Sequence, residues 1–178
     1  EHTITLPLVQ RALPDGGTVV VIDAHPDLRA AYDGTRYSHA CVMRRLAESG
    51  YGLVQLGLHC TSREEDAWAR GRRNIRQLTA RALADPVGRA QAAAMLRKLQ
   101  GPIYLSIDAD GLSTGIMPGV GTPVPGGLAW HGVMDLIEAL FSATRADVRG
   151  CDIVEVCPRP PDVLSEFTAA RLLQKIIA

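Results

Sequence analysis

Three side chains that can bind a metal ion follow a short apolar segment near the start of the chain. Residues 19–22 are all apolar, and Asp23, His25 and Asp27 come directly after them in the segment IDAHPD. In extended backbone every second side chain points to the same face, so the two carboxylates and the imidazole can converge. Two carboxylates at such a short distance repel each other unless a cation lies between them. The segment therefore predicts a site for a divalent metal ion.

A second pair of acids follows a later apolar segment in the same way. Asp108 and Asp110 come directly after residues 103–107. Either cluster alone could be a solvated loop, but ligands of α/β proteins bind at the carboxyl ends of parallel strands, where both clusters are predicted to lie. Together they exceed what one ion needs, and two ions that share carboxylates would use them all. Oxygen and nitrogen ligands without thiolates favour Mn²⁺, with Fe²⁺, Co²⁺ and Zn²⁺ as alternatives.

The elements that must position these residues alternate between short apolar strands and longer helices. Strands are predicted at 18–22, 53–58, 103–107 and 148–156, helices at 3–13, 39–48, 62–84, 86–100, 128–144 and 161–177, and loops at 28–38 and 111–127. This alternation is typical of an α/β domain with a mostly parallel sheet. At 178 residues the chain is long enough for one domain with a substantial core.

Local signals predict where three of the helices begin. Thr3 or Thr5 can cap the first helix with its hydroxyl. Ser62 and Glu65 have the spacing of a capping box, in which each side chain accepts a hydrogen bond from the other residue's backbone. Pro86 suits the first turn of the next helix, where its missing N–H is not needed.

Composition narrows the classes of partner. The chain is 47% hydrophobic and 21% charged, as in ordinary soluble globular proteins. Its 19 basic and 19 acidic residues cancel without forming a basic block, which argues against binding nucleic acid or anionic membranes. No apolar run approaches the ~20 residues that span a bilayer.

The four cysteines form no C-x-x-C pair, and we interpret them as free thiols of a cytosolic enzyme rather than disulfides or a zinc knuckle.

Separated segments along the whole chain resemble the signature segments of the ureohydrolases, the arginase and agmatinase family. They are IDAHPD at 22–27, YSH with two arginines at 37–45, SIDAD at 106–110, PGVGTPVPGG at 118–127 and DIVEV at 152–156, and EHTI at 1–4 resembles the end of a further one. The segment at 37–45 resembles the agmatinase branch. The resemblance implies a three-layer α/β/α fold of which 1–178 is the C-terminal portion of a single catalytic domain. Several strands would then precede residue 1, and we expect the chain alone to expose an apolar sheet edge and to fold poorly.

The resemblance also implies roles for nine residues around two Mn²⁺ ions. The metal ligands would be His2, Asp23, His25, Asp27, Asp108 and Asp110, the catalytic residues His39, Asp110 and Glu155, and the substrate-binding residues His39, Thr122 and Glu155. His2 and Asp27 would bind one ion, His25 and Asp110 the other, and Asp23 and Asp108 would bridge them. Without the family, His2 would be interpreted as a frayed terminal residue and His39 as an ordinary polar residue at a helix start.

The implied reaction is the hydrolysis of a guanidinium group to urea and an amine. Water between two cations loses a proton near neutral pH and can attack the guanidinium carbon. Glu155 would hold the guanidinium through charge-assisted hydrogen bonds. Asp110 would protonate the departing amine, and His39 would exchange protons with solvent.

The substrate is less narrowly predicted than the chemistry. Agmatine, which gives putrescine, is the leading prediction, because no loop residue is evident that would hold the carboxylate and ammonium of an amino acid. Guanidinobutyrate, arginine and formiminoglutamate are alternatives, since Ala40, His59, Ser113 and Thr114 depart from the family pattern in loops that shape the pocket. A non-catalytic homologue with a structural or regulatory role is an alternative of another class. The resemblance further implies a homo-oligomer, a trimer or hexamer.

Overall fold

A five-stranded parallel sheet forms the centre of the computed structural model, which describes residues 1–178. The strands are β1 (Thr18–Ile22), β2 (Gly52–Leu58), β3 (Ile75–Thr79), β4 (Gln100–Asp108) and β5 (Arg145–Val154), in the order β3-β2-β1-β4-β5. All four neighbouring pairs are parallel. The predicted α/β class with a parallel sheet is confirmed.

Seven helices cover the two faces of this sheet. They are α1 (Thr5–Ala12), α2 (Val42–Glu48), α3 (Arg63–Ala69), α4 (Ala80–Ala84), α5 (Pro86–Arg97), α6 (Trp130–Phe141) and α7 (Leu164–Ile177). The apolar residues of β1 divide between two cores. Val19 and Val21 pack with α1 and α2, whereas Val20 and Ile22 pack with α5 and α6. This two-sided burial explains the continuous apolar run of β1 and gives the molecule its three layers. No helix combines the length and the hydropathy needed to cross a bilayer.

The predicted helix over 62–84 is wrong in its middle. The segment forms α3, then β3, then α4. Gly71 adopts a φ of +80°, the left-handed conformation that commonly ends a helix. β3 follows at the edge of the sheet, where it pairs only with β2 and leaves most of its side chains accessible. An edge strand rich in polar residues carries no apolar run, so its pairing with β2 decides its conformation.

Two of the three predicted helix starts are confirmed and one is wrong. Both hydrogen bonds of the capping box between Ser62 and Glu65 are present, and Pro86 lies in the first turn of α5. The predicted threonine N-cap of the first helix is wrong, because a 3₁₀ turn over His2–Ile4 leads into α1 without a side-chain cap. The hydroxyl of Thr5 instead donates to Asp152 Oδ2 at 2.8 Å.

The registers of β1 and β4 bring the two acidic clusters together. Ile22 pairs with Ile107, so the residues that follow, Asp23 and Asp108, leave the sheet beside each other. The long glycine-rich segment 112–129 then returns over this edge and is ordered, since Met117 and Val120 are buried in the core. The sheet register and this loop together form the walls of a site.

Candidate metal centre

The six predicted metal ligands lie together at the carboxyl ends of β1 and β4. The Nδ1 atom of His2 lies 3.0 Å from Asp27 Oδ2, 3.2 Å from Asp108 Oδ2 and 3.4 Å from Asp23 Oδ2. His25 forms a second centre, and its Nδ1 lies 3.1 Å from Asp110 Oδ2 and 3.7 Å from Asp23 Oδ1. Asp23 therefore turns one carboxylate oxygen towards each histidine.

Two groups of ligand atoms are compact enough to hold an ion each. One contains His2, Asp23 and Asp108, the other contains Asp23, His25 and Asp110, and the ligand atoms of each group lie within 4.8 Å of one another. Asp23 belongs to both. Asp108 belongs to the first alone, and its Oδ1 accepts the backbone N–H of Asp110 at 2.9 Å. Sharing of Asp108 between two ions stays a prediction.

Unpaired atoms at the middle of the cluster show that its donor set fits a cation. Nδ1 of His2 and Oδ2 of Asp23 are buried and have no hydrogen-bond partner. Polar atoms buried in this way destabilise a protein unless something satisfies them. These two are 3.4 Å apart and surrounded by further carboxylate oxygens, so a divalent cation would satisfy both at once.

Two acids of the cluster, Asp23 and Asp108, hold protons more firmly than a free carboxyl group does. Burial raises the pKa of Asp23 well above its ordinary range, and the charges of Asp108 and Asp27 raise it further. Burial also raises the pKa of Asp108, to about 7, although His2 opposes the shift. Crowded, buried carboxylates thus favour the neutral form in the absence of a cation.

The two histidines also hold protons more firmly than free imidazole does. The hydrogen bond to Asp110 raises the pKa of His25 to about 10, against the effect of burial. Burial lowers the pKa of His2, but its contacts with Asp108, Asp23 and Asp27 outweigh burial and raise it well above the ordinary value. In the metal-free protein both shifts favour the protonated form of the rings.

Metal binding is consequently expected to release protons. A ligating imidazole must be neutral, so loading the centre at pH 7 should release roughly one proton for each histidine, in addition to the protons that Asp23 and Asp108 hold. Titration calorimetry with Mn²⁺ in two buffers of different ionisation enthalpy measures this number. Heats that do not depend on the buffer would contradict the predicted ligation by His2 and His25.

The sign of the pH dependence follows from the same shifts. A group whose pKa is raised on folding stabilises the protein fully below its unfolded pKa and less as pH rises through the folded value. For His25 that loss continues to about pH 10. We expect the metal-free protein to melt at progressively lower temperature from pH 6 to 10, whereas metal affinity increases as protons leave. Melting curves with and without a chelator test both directions.

Two residues outside the predicted set hold His2 from behind. Its Nε2 lies 3.0 Å from Ser106 Oγ, and Ser106 donates to Asp152 Oδ1 at 2.6 Å. Ser106 lies two residues before Asp108 on β4 and therefore on the same face of the strand. The spacing of Ser106 and Asp108 in SIDAD could have indicated that both side chains face the site. Asp152 likewise lies in a segment, DIVEV, that resembles a family signature.

A cavity of about 430 Å³ opens over the centre. It is lined by His2, His25, Asp27, Arg29, Tyr32, His39, Ala40, Cys60, Thr61, Ser62, Glu65, Asp108, Asp110, Gly121, Thr122 and Glu155. Every predicted site residue is among them except Asp23, which lies fully buried beneath. The cavity therefore places the predicted catalytic and substrate-binding residues around the metal ligands.

The three residues predicted to act on substrate occupy different parts of this cavity. Glu155 follows β5, and its Oε1 accepts the backbone N–H of His2 at 2.7 Å. Thr122 comes from the long loop and donates to Asp110 Oδ2 at 3.2 Å. His39 is 52% exposed and packs edge-on against Tyr32, so it lies between the cavity and solvent.

Two of the cavity residues have strained backbones. Asp27 has a φ of +52° and Glu155 a φ of +61°, in the left-handed region that non-glycine residues seldom adopt. Such a conformation costs about 1–3 kcal/mol and persists where the surroundings enforce it. Around Asp27, Gln55 donates to the carbonyl of Pro26 at 2.7 Å, and Glu65 accepts the N–H of Leu28 at 3.1 Å. Glu65 thus has two roles. It caps α3, as its spacing from Ser62 predicts, and it also holds the loop that follows the predicted ligand Asp27, which that spacing did not reveal.

Comparison with known proteins agrees with this fold. The model of the arginase family matches residues 1–178, and the chain belongs to that family. The N(1)-aminopropylagmatine ureohydrolase of Synechocystis sp. is 39% identical over 99% of the chain, and the agmatinase of Pyrococcus horikoshii is 36% identical over 99%. The crystal structure of agmatine ureohydrolase of Thermoplasma volcanium superposes with a TM-score of 0.86 at 34% identity over 99% of the chain.

The family resemblance and the three-layer α/β fold predicted from the sequence are thereby confirmed. The chain spans 58% of the length of the Synechocystis protein and 59% of each of the other two.

Proposed function

We propose that this chain carries the dinuclear centre of a ureohydrolase that converts a guanidino amine, most simply agmatine, to urea and a primary amine. One observation carries the proposal: two ligand groups share Asp23 at the floor of a cavity whose wall contains the carboxylate of Glu155. N(1)-aminopropylagmatine is a second candidate substrate, because the Synechocystis relative bears that name.

The six ligands would hold two Mn²⁺ ions. His2, Asp27 and Asp108 surround one position, His25 and Asp110 the other, and Asp23 faces both. When bound, the cations supply a hydroxide nucleophile near neutral pH and positive charge to stabilise the transition state. Backbone hydrogen bonds join β1 to β4 and so fix the distance between the carboxylates that follow these strands. That distance in turn sets the spacing of the two cation positions.

Glu155 would bind the guanidinium. One of its oxygens already accepts the N–H of His2, and carboxylate oxygens have further lone pairs for a planar cationic donor. The backbone conformation of Glu155 is fixed at the end of β5, so the carboxylate needs little reorganisation to receive the substrate. Its contact with His2 also ties substrate position to the metal centre.

Asp110 and His39 would handle protons. Burial would raise the pKa of Asp110, but the hydrogen bond from His25 outweighs it and the pKa is lowered. During the reaction Asp110 would accept a proton from the hydroxyl group added to the guanidinium carbon and pass it to the departing amine, which is far more basic than a carboxylate. His39, at the solvent boundary of the cavity, would exchange protons with bulk water.

Urea release by the full-length protein loaded with Mn²⁺ tests this function. We expect turnover of agmatine or N(1)-aminopropylagmatine to exceed that of arginine and guanidinobutyrate, with formiminoglutamate assayed separately by its own product. Absence of turnover with every substrate, while metal analysis shows two bound ions, would refute the catalytic proposal and favour the non-catalytic homologue. The family resemblance also underlies our expectation of a trimer or hexamer, whereas the interpretation of the four cysteines as free thiols underlies that of a cytoplasmic enzyme.

A further inference from the structure

We propose that Ser106 and Asp152 are positioning residues for one of the two cation positions, the one built around His2. They form a relay, His2–Ser106–Asp152, that holds the imidazole so that Nδ1 faces the carboxylates. This inference deepens the proposed dinuclear centre and rests on it.

The direction of each hydrogen bond in the relay follows from its chemistry. The carboxylate of Asp152 accepts, so the Ser106 hydroxyl donates its single proton to Oδ1 at 2.6 Å. The hydroxyl oxygen then serves as acceptor for Nε2–H of His2 at 3.0 Å. With its proton on Nε2, a neutral ring carries a lone pair on Nδ1, the buried atom without a hydrogen-bond partner at the centre. The relay thus selects the tautomer that can ligate.

The far end of the relay is anchored on two sides. Asp152 Oδ2 accepts hydrogen bonds from Thr5 Oγ1 at 2.8 Å and from the Tyr104 hydroxyl at 3.1 Å. These donors come from α1 and β4, whereas Asp152 itself lies on β5. Ser106 is fully buried and His2 is 1% exposed. Water cannot readily replace the Ser106 hydroxyl, so its loss would leave Nε2–H unsatisfied.

The other metal-binding histidine lacks such a relay. The side chain of His25 is 30% exposed, its Nδ1 faces Asp110, and no protein atom forms a hydrogen bond with its Nε2. Partners that orient a ligating histidine typically change metal affinity by about 10–100-fold. The relay should therefore affect one cation position and spare the other.

Ser106→Ala in the full-length protein tests this asymmetry. We expect calorimetric Mn²⁺ titration to show one position weakened about 10–100-fold and the other unchanged. At limiting Mn²⁺, the EPR spectrum should change from that of an exchange-coupled pair to that of isolated ions. Asp152→Asn keeps the shape of the side chain but makes it a weaker hydrogen-bond acceptor for Ser106, so it should weaken the same cation position less than Ser106→Ala does. Asp152→Asn also serves as the test if Ser106→Ala does not fold.

Two matched variants separate positioning from general stabilisation. Ser106→Thr retains the hydroxyl and is expected to retain both affinities. Tyr104→Phe removes another hydrogen bond to Asp152 but leaves the relay intact, so both affinities should stay near wild type. Equal weakening of both positions in Ser106→Ala, unchanged affinities, or an equal loss in Tyr104→Phe would overturn the relay. A wild-type protein that binds fewer than two ions would instead overturn the dinuclear centre itself.

Discussion

Asparagine in place of Asp23 is expected to abolish binding of two cations and to reduce urea formation by roughly 10²–10⁴-fold. Leaving buried charges without their partner costs about 3–5 kcal/mol, which corresponds to that range in rate or affinity. Asp23 belongs to both ligand groups, so this single substitution removes an oxygen from each. The amide can still accept the N–H of His25 through Oδ1, a bond of 2.6 Å in the structure, so the local turn should survive.

The same substitution should change stability in the opposite direction when metal is absent. Burial and two neighbouring acids raise the pKa of Asp23, which shows that its charge is unfavourable there. Folding without metal must either bury that charge or protonate the carboxylate, and a neutral amide requires neither, so metal-free Asp23→Asn should melt above metal-free wild type. Metal analysis, calorimetry and melting curves measure these effects, with Asp147→Asn as an exposed control. A variant that still binds two Mn²⁺ ions per chain would disprove the shared role.

Glutamine in place of Glu155 is expected to lower kcat/KM by about 10²–10³-fold while leaving two bound Mn²⁺ ions. The amide is the same size and can still accept the N–H of His2, so the backbone contact at 2.7 Å is retained. It lacks the charge that a guanidinium recognises, and losing one partner of a desolvated charged pair costs about 2–5 kcal/mol. Steady-state kinetics on agmatine together with metal analysis measure the two quantities.

A matched control separates recognition by Glu155 from a general effect of charge. Glu138→Gln changes an exposed acid on α6 and should leave kcat/KM at the wild-type value. If Glu155→Gln keeps full kcat/KM, Glu155 does not bind the guanidinium. If the variant loses a metal ion instead, its contact with His2 supports the metal centre more than the substrate.

The clustering of the predicted metal ligands could be anticipated because two strong patterns coincide. β1 after Thr18 is a continuous apolar run, and residues 103–107 of β4 are apolar apart from Ser106, as expected for strands buried on both faces. Acids at alternate positions directly after such runs must lie at the carboxyl edge of the sheet. The inclusion of His2, by contrast, rested on resemblance, since nothing in its local sequence connects it with Asp23.

The parts that escaped prediction depend on contacts between distant segments. β3 is an edge strand whose sequence, IRQLT, suits a helix as well as a strand until β2 is beside it. Thr5 has the chemistry of a helix cap, but its hydroxyl instead donates a hydrogen bond to the carboxylate of Asp152, 147 residues away. Ser106 interrupts an apolar run, and only the folded position of His2 reveals its partner.

The pairing of β1 with β4 divides the molecule into a part that tolerates length changes and a part that does not. Asp23 and Asp108 follow paired residues, so one inserted residue in either strand would turn a carboxylate to the opposite face of the sheet. The segments 28–38 and 112–129 contribute Arg29, Tyr32, Gly121 and Thr122 to the cavity wall but take no part in that pairing. Insertions and deletions can therefore accumulate in those loops and reshape the predicted substrate pocket over evolutionary time. The hydrogen-bonded pairing of β1 with β4 meanwhile keeps the predicted metal ligands in place.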